Sequence, residues 1–151
     1  MKVFRLTKAK YAGALSGVGA AKFGNRWNSK GVEMIYTAGC RALAVTEILV
    51  HLPTGLIPED MMMLQINIPD DINIQVLDTK TLPPDWNVFP PRVVTQQLGD
   101  AFVFENRFAV LKVPSAVVQG DFNYLLNPNH PDFKLIKIIS QEPFGFDVRL
   151  F

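Results

Sequence analysis

The chain has 151 residues, 48% hydrophobic and 19% charged, with 15 Lys and Arg against 14 Asp and Glu for a formal net charge of +1. That length and profile fit one compact domain with a sizeable core, and they exclude a disordered chain. The even charge balance argues against a protein that grips a phosphate backbone, which needs a concentrated basic face, so no direct nucleic-acid binding is expected. The single cysteine, Cys40, excludes an internal disulfide and a cysteine-based zinc site. No window approaches the roughly 18 apolar residues of a membrane span, and Met1–Lys8 lacks the apolar run of a secretory signal. A soluble, cytoplasmic protein with no membrane partner is expected.

In chain order, Lys2–Leu6 alternates loosely and predicts a first short strand. Residues 11–24 hold Gly13, Gly17, Gly19 and Gly24 among alanines, which predicts loop or weak helix. Gly17 and Gly19 do not open a dinucleotide fingerprint, because Lys22 stands where the third glycine belongs. Val32–Thr37 predicts a strand with Val32, Met34 and Tyr36 on one face. Arg41–Leu52 predicts the clearest helix. Its apolar stripe is Ala42, Val45, Ile48, Leu49 and Leu52, and Glu47 falls almost opposite as a solvent-facing charge. Pro53 and Gly55 end it.

Met62, Leu64, Ile66 and Ile68 predict a strand by alternation, and Ile72, Ile74 and Val76 another. Pro83, Pro84, Pro90 and Pro91 stiffen the connection to a second helix over residues 92–104. Phe108–Val113 predicts a strand running into Pro114 and Ser115, and Asn123–Phe133 predicts a loop. Leu135–Ile139 and Phe146–Phe151 predict closing strands. Strands and a few helices that do not alternate regularly predict an α+β fold rather than a doubly wound sheet.

The segment Gly24-Asn25-Arg26-Trp27-Asn28-Ser29-Lys30-Gly31 is too polar for core. It suits the wall of a site for an anionic, ring-bearing ligand. Arg26 supplies a planar cationic fork, Trp27 a flat apolar face, and the glycines allow close backbone approach. Metal chemistry has little to draw on. His51 and His130 are the only imidazoles, and a Glu47–His51 pair at i, i+4 falls short of a ligand set, so no metal site is expected. Ser115 has no nucleophile elbow around it, and a Ser115–His130–Asp132 set has nothing to support it.

Taken together, these motifs resemble the RES-domain family, named for an arginine, a glutamate and a serine. The arginine stands in the Gly24–Gly31 segment, followed at the family's spacing by Tyr36 in Met34-Ile35-Tyr36-Thr37-Ala38. The glutamate is Glu47 within Ala42–His51, and the serine is Ser115 in Val113-Pro114-Ser115-Ala116. The stretch Asn123–Phe133, which holds Asn127-Pro128-Asn129-His130-Pro131, is similar to the family's Asn-Pro-x-His-Pro signature, and the ending Phe144–Phe151 also matches.

The resemblance covers essentially the whole chain, residues 1–151, as a single RES domain. It implies a split mixed sheet like that of the ADP-ribosyltransferase fold. It also implies a bacterial toxin that consumes NAD by phosphorolysis or hydrolysis of the nicotinamide–ribose bond. One branch is linked to ADP-ribosylation of a protein target, and a non-catalytic, antitoxin-binding role is the contrasting expectation. The partner it implies is an Xre-type helix-turn-helix antitoxin that plugs the cleft. NAD enters as substrate rather than resident cofactor, with inorganic phosphate as a co-substrate. On this footing Arg26 binds the pyrophosphate, and Trp27 and Tyr36 line a ring. Glu47 stabilises the ribosyl cation, and Ser115 positions the ribose or carboxamide. Asn28, Arg5 and Asn127 support the substrate.

Overall fold

A computed structural model describes all residues, Met1–Phe151. Seven strands form one sheet: β1 (Lys2–Lys8), β2 (Ile35–Ala38), β3 (Met61–Asn67), β4 (Ile74–Val76), β5 (Val110–Pro114), β6 (Phe122–Leu126) and β7 (Lys137–Phe144). Three α-helices accompany them: α1 (Val18–Phe23), α2 (Arg41–Leu49) and α3 (Val93–Glu105). The order across the sheet is β4-β5-β6-β2-β1-β3-β7. Only β4 and β5 run parallel; every other pair is antiparallel. The fold is α+β with a mixed sheet, as expected.

The sheet is tight on both flanks and loose in the middle. β1 pairs with β3 from Lys2↔Asn67 to Lys8↔Met61, and β2 pairs with β6 from Ile35↔Leu126 to Ala38↔Asn123. β1 and β2 meet at Phe4↔Ala38 alone. The two halves therefore diverge beyond that pair and leave a cleft between them.

Side-chain alternation explains how the cores flank this split. One face carries a continuous cluster that includes Val3, Ile35, Leu64, Ile66, Val110 and Leu126. The other face carries two separate clusters. Trp27, Met34, Phe102, Val103, Leu111 and Leu125 pack under α3. Leu6, Ala38, Leu43, Ala44, Met61 and Met63 pack under α2. The gap between these two clusters lies over the split.

Several expectations change in the folded chain. β2 starts at Ile35, so Val32 and Met34 precede the strand, although both are buried in the cluster that Tyr36 packs against. Helix α2 ends at Leu49 and buries Leu43 and Ala44, while Ala42 is exposed. The expected stripe is only partly turned to the protein: Val45 and Ile48 pack against the cluster under α2 beside buried Leu43 and Ala44, and Glu47 is half-buried rather than solvent-facing. Residues Asn123–Leu126, expected as part of a loop, belong to β6 (Phe122–Leu126) because β2 and β5 flank them on both sides. The last strand is Lys137–Phe144, and Phe146–Phe151 is not a strand. Its aromatics pack edge-to-face instead, Phe144 on Phe146 and Phe146 on Phe151.

Candidate active site

The arginine loop is built by its own polar residues. Gly24 ends α1 at φ 69°, a left-handed conformation that favours glycine, and turns the chain into the loop. Asn25 and Asn28 then bridge back to back, with Asn25 N–H donating to Asn28 O at 2.9 Å. Asn28 is fully buried. Its Nδ2 donates to the carbonyls of Ala20 (2.9 Å), Val32 (3.0 Å) and Ser29 (3.2 Å), and its Oδ1 accepts from the Tyr36 hydroxyl at 2.7 Å. The same hydroxyl accepts the Trp27 N–H at 3.1 Å. Asn28 is therefore the organiser of the loop and has no free atom for a ligand, which corrects its expected contact with substrate. Burial pushes the Tyr36 phenol well above its usual range, so it stays protonated as a donor to Asn28.

Helix α3 clamps this loop from behind. Asp100 accepts from Ser29 N–H at 2.9 Å and from Ser29 Oγ at 2.6 Å, and Gln96 Nε2 donates to Asn25 O at 3.1 Å. Gly99 lies so close to the loop that a Cβ there would stand 1.7 Å from the Trp27 carbonyl oxygen. The Trp27 ring is held in the core near Trp86 and is 2% exposed, which leaves no face for a ligand to stack on. Its expected stacking role is corrected to that of an anchor. The clamp leaves the Arg26 side chain facing outward, half-buried. Nη1 donates both protons, to Trp86 O (2.9 Å) and Val88 O (3.0 Å). The Nε and Nη2 edge, the fork that grips an oxyanion, has no partner within the protein.

Glu47 faces this loop across the cleft. Its Oε1 accepts from Ser115 Oγ at 2.8 Å and from Asn123 Nδ2 at 2.6 Å, while Oε2 carries no hydrogen bond. Ser115 is 5% exposed and is itself locked, its Oγ accepting the N–H groups of Val117 (3.1 Å) and Val118 (3.0 Å). Its hydroxyl proton is committed to Glu47, so Ser115 positions the carboxylate rather than a ligand, and no serine–histidine pair exists there. His130 instead caps the turn at Pro131–Leu135, its Nδ1 accepting from Asp132 N–H. Asn127 is fully buried and binds Asn106 Oδ1, Val103 O and Asn129 N–H, far from any role on a ligand. No group of three or more metal-ligating side chains is present.

The cleft has two lobes, of about 530 Å³ and about 450 Å³, and Asn25, Tyr36, Glu47, His51 and Asn123 border both. Arg5 lines the larger lobe and Arg26 the smaller. Arg41, Arg92, Arg107 and Arg149 each pair with a carboxylate, whereas Arg5 and Arg26 have none within 4 Å. Arg5 has one long bond, Nη1 to Ser16 O at 3.4 Å. Burial lowers both guanidinium pKa values, and for Arg26 the nearby Glu47 and Tyr36 oppose that shift. Both remain cations in a partly dry cleft, an arrangement that favours an anionic ligand. Sequence reasoning missed Asn123, Gln96, Gly99 and Asp100. Asn123 lies inside a recognised stretch, but its approach to Glu47 spans 76 positions.

The family model described as the RES domain matches residues 2–147. A protein of Photorhabdus laumondii named Toxin Res is 40% identical over 99% of this chain and 97% of its own length. A Sphingobium protein named Prs ADP-ribosylating toxin is 38% identical over 90% of this chain and 86% of its own. Among solved structures, a chain of the M. tuberculosis MbcT–MbcA toxin–antitoxin complex superposes with a TM-score of 0.76 at 20% identity, covering 95% of this chain and 84% of that one. That last likeness speaks for the fold. The residue motifs, the family match and relatives of this identity along nearly the full length lead to one conclusion: the chain belongs to the RES-domain family.

Proposed function

We propose that this protein is the toxin of a toxin–antitoxin pair and that it cleaves the nicotinamide–ribose bond of NAD. The observation that carries the proposal is the Glu47 carboxylate, tied through Oε1 and free at Oε2, set in a cleft whose two arginines have no carboxylate partner. NAD brings a pyrophosphate for such cations and a ribose that turns cationic as its bond to nicotinamide breaks. Arg26 grips phosphate through its Nε and Nη2 edge, and Arg5 adds charge in the adjoining lobe. The Tyr36 ring lines the cleft, with its hydroxyl turned inward. Glu47 Oε2 stabilises the ribosyl cation electrostatically. The nicotinamide ring nitrogen takes the bond's electron pair and becomes neutral, so the leaving group needs no general acid. A phosphate oxygen then bonds to the ribose carbon, or a water oxygen does so and releases a proton to solvent.

The relatives named as toxins support the toxin assignment. The relative named Prs ADP-ribosylating toxin favours a second acceptor, a protein side chain, at the same cleft. The partner fitting this reading is an Xre-type antitoxin that fills the cleft. The larger lobe's mouth offers it exposed Tyr11 and Phe23 as an apolar rim. NAD loss by the purified chain, with and without inorganic phosphate and with products resolved by mass, tests the proposal. Loss that depends on phosphate and yields a ribosyl phosphate identifies phosphorolysis; loss without it identifies hydrolysis. Glu47→Gln should lower kcat by about a hundredfold or more, and Arg26→Ala should raise KM for NAD. Intact NAD under both conditions, with folded protein and no ADP-ribosylated target, would overturn it.

A further inference from the structure

Asn123 sits on β6, between Ala38 of β2 and Val113 of β5, and borders both lobes of the cleft. Its Nδ2 holds Glu47 Oε1 at 2.6 Å, a charge-assisted bond. Its Oδ1 is the one buried side-chain polar atom in the protein without a hydrogen-bond partner. Turning the amide over would not relieve this, because it would set an amide oxygen 2.6 Å from a carboxylate oxygen. Glu47 thus dictates the amide's orientation, and the orphaned oxygen is its consequence. A buried acceptor without a donor is costly and uncommon in native proteins. Its persistence here marks a constraint other than stability.

The geometry points to Asn123 as a positioning residue for the reaction: with Ser115 it pins Glu47 Oε1 from a second side and so fixes Oε2 toward the bound ribose. Two donors from separate backbone segments hold one oxygen, Ser115 from the turn after β5 and Asn123 from β6. One donor leaves the carboxylate free to swing about that bond; two fix its plane. This inference rests on the NAD-cleaving reading above, since it assigns Oε2 to the ribosyl cation.

The test compares Asn123→Leu and Asn123→Ala with wild type, alone and combined with Glu47→Gln, in NAD turnover and in thermal and urea denaturation. Asn123→Leu removes the orphaned acceptor along with the donor. Its melting temperature should stay within a few degrees of wild type, while kcat falls at least tenfold and KM for NAD changes by less than threefold. Asn123→Ala keeps the test open if leucine proves too bulky. Combined with Glu47→Gln, either variant should cost little further activity, because both changes disable the same carboxylate. A kcat within twofold of wild type, or losses that multiply with those of Glu47→Gln, would overturn the inference. If the wild-type chain leaves NAD intact, the functional reading fails by itself. The denaturation data then still decide the contact: non-additive stabilities support the pinning of Glu47, and additive ones refute it.

Discussion

Ser115 shows how much a residue's role depends on its surroundings. In the sequence it is a hydroxyl after Pro114, available to a substrate. In the fold it lines neither lobe and touches Glu47, Val117 and Val118 only through Oγ. Ser115→Ala should therefore act in two ways. Two N–H groups lose their acceptor, which lowers stability by about 1–3 kcal/mol in urea denaturation. Glu47 loses one of its two donors, which lowers kcat about tenfold, equivalent to about 1.4 kcal/mol. A rise in KM with kcat unchanged would return Ser115 to the substrate. Glu47 itself was legible as a family residue but not as a buried one. Its partners lie 68 and 76 positions away, so no local pattern could announce them.

At the scale of elements, α3 is the unexpected participant. The sequence predicts it as a helix and gives no sign that it carries the arginine loop. Gly99 permits the contact, since a methyl group there would meet the Trp27 backbone, which cannot rotate away as a side chain can. Gly99→Ala should lower stability by about 1–3 kcal/mol through overpacking. It should also raise KM for NAD by displacing Arg26, with melting and steady-state kinetics as the readouts. Wild-type melting behaviour would mean that the loop yields freely. Helix α2 shows the opposite relation. The expected stripe supplies Val45 and Ile48 to the core, and Leu43 and Ala44 beside it are the most buried because they meet Leu6, Ala38, Met61 and Met63. Periodicity alone does not fix how far a helix is rotated onto its neighbours; the facing strands do. β6 hid for a similar reason. Asn123 at its start and Pro128 just beyond its end read as loop, and pairing with β2 and β5 overrides that preference.

For the whole molecule, the meeting of β1 and β2 at one residue pair sets the cleft, and Tyr36 on β2 ties that cleft to global stability. Burial raises the Tyr36 pKa in the folded state above its unfolded value of about 10. Below that pH both states hold the proton and the phenol's contribution is complete. As pH rises past it, the unfolded chain gives up the proton first and folding stability falls. Denaturation curves taken from neutral to alkaline pH should show this decline, and Tyr36→Phe should be less stable at neutral pH but fall less steeply above about pH 10. Parallel curves for the two proteins would refute the assignment.

The sequence by itself determined the class of fold, most of the helices and strands, and the family, because these rest on local periodicity and on motifs read in order. Its motifs singled out Arg26, Glu47 and Ser115 as candidate site residues. Only the tertiary structure decided what each does: that Asn28 and Asn127 are internal supports, that Trp27 is core, that Ser115 and Asn123 hold Glu47, and that Arg5 and Arg26 alone among the arginines lack a carboxylate. The physical reason is range. Propensity and alternation act over a few residues, whereas burial, desolvation and hydrogen-bond pairing depend on segments brought together from distant parts of the chain.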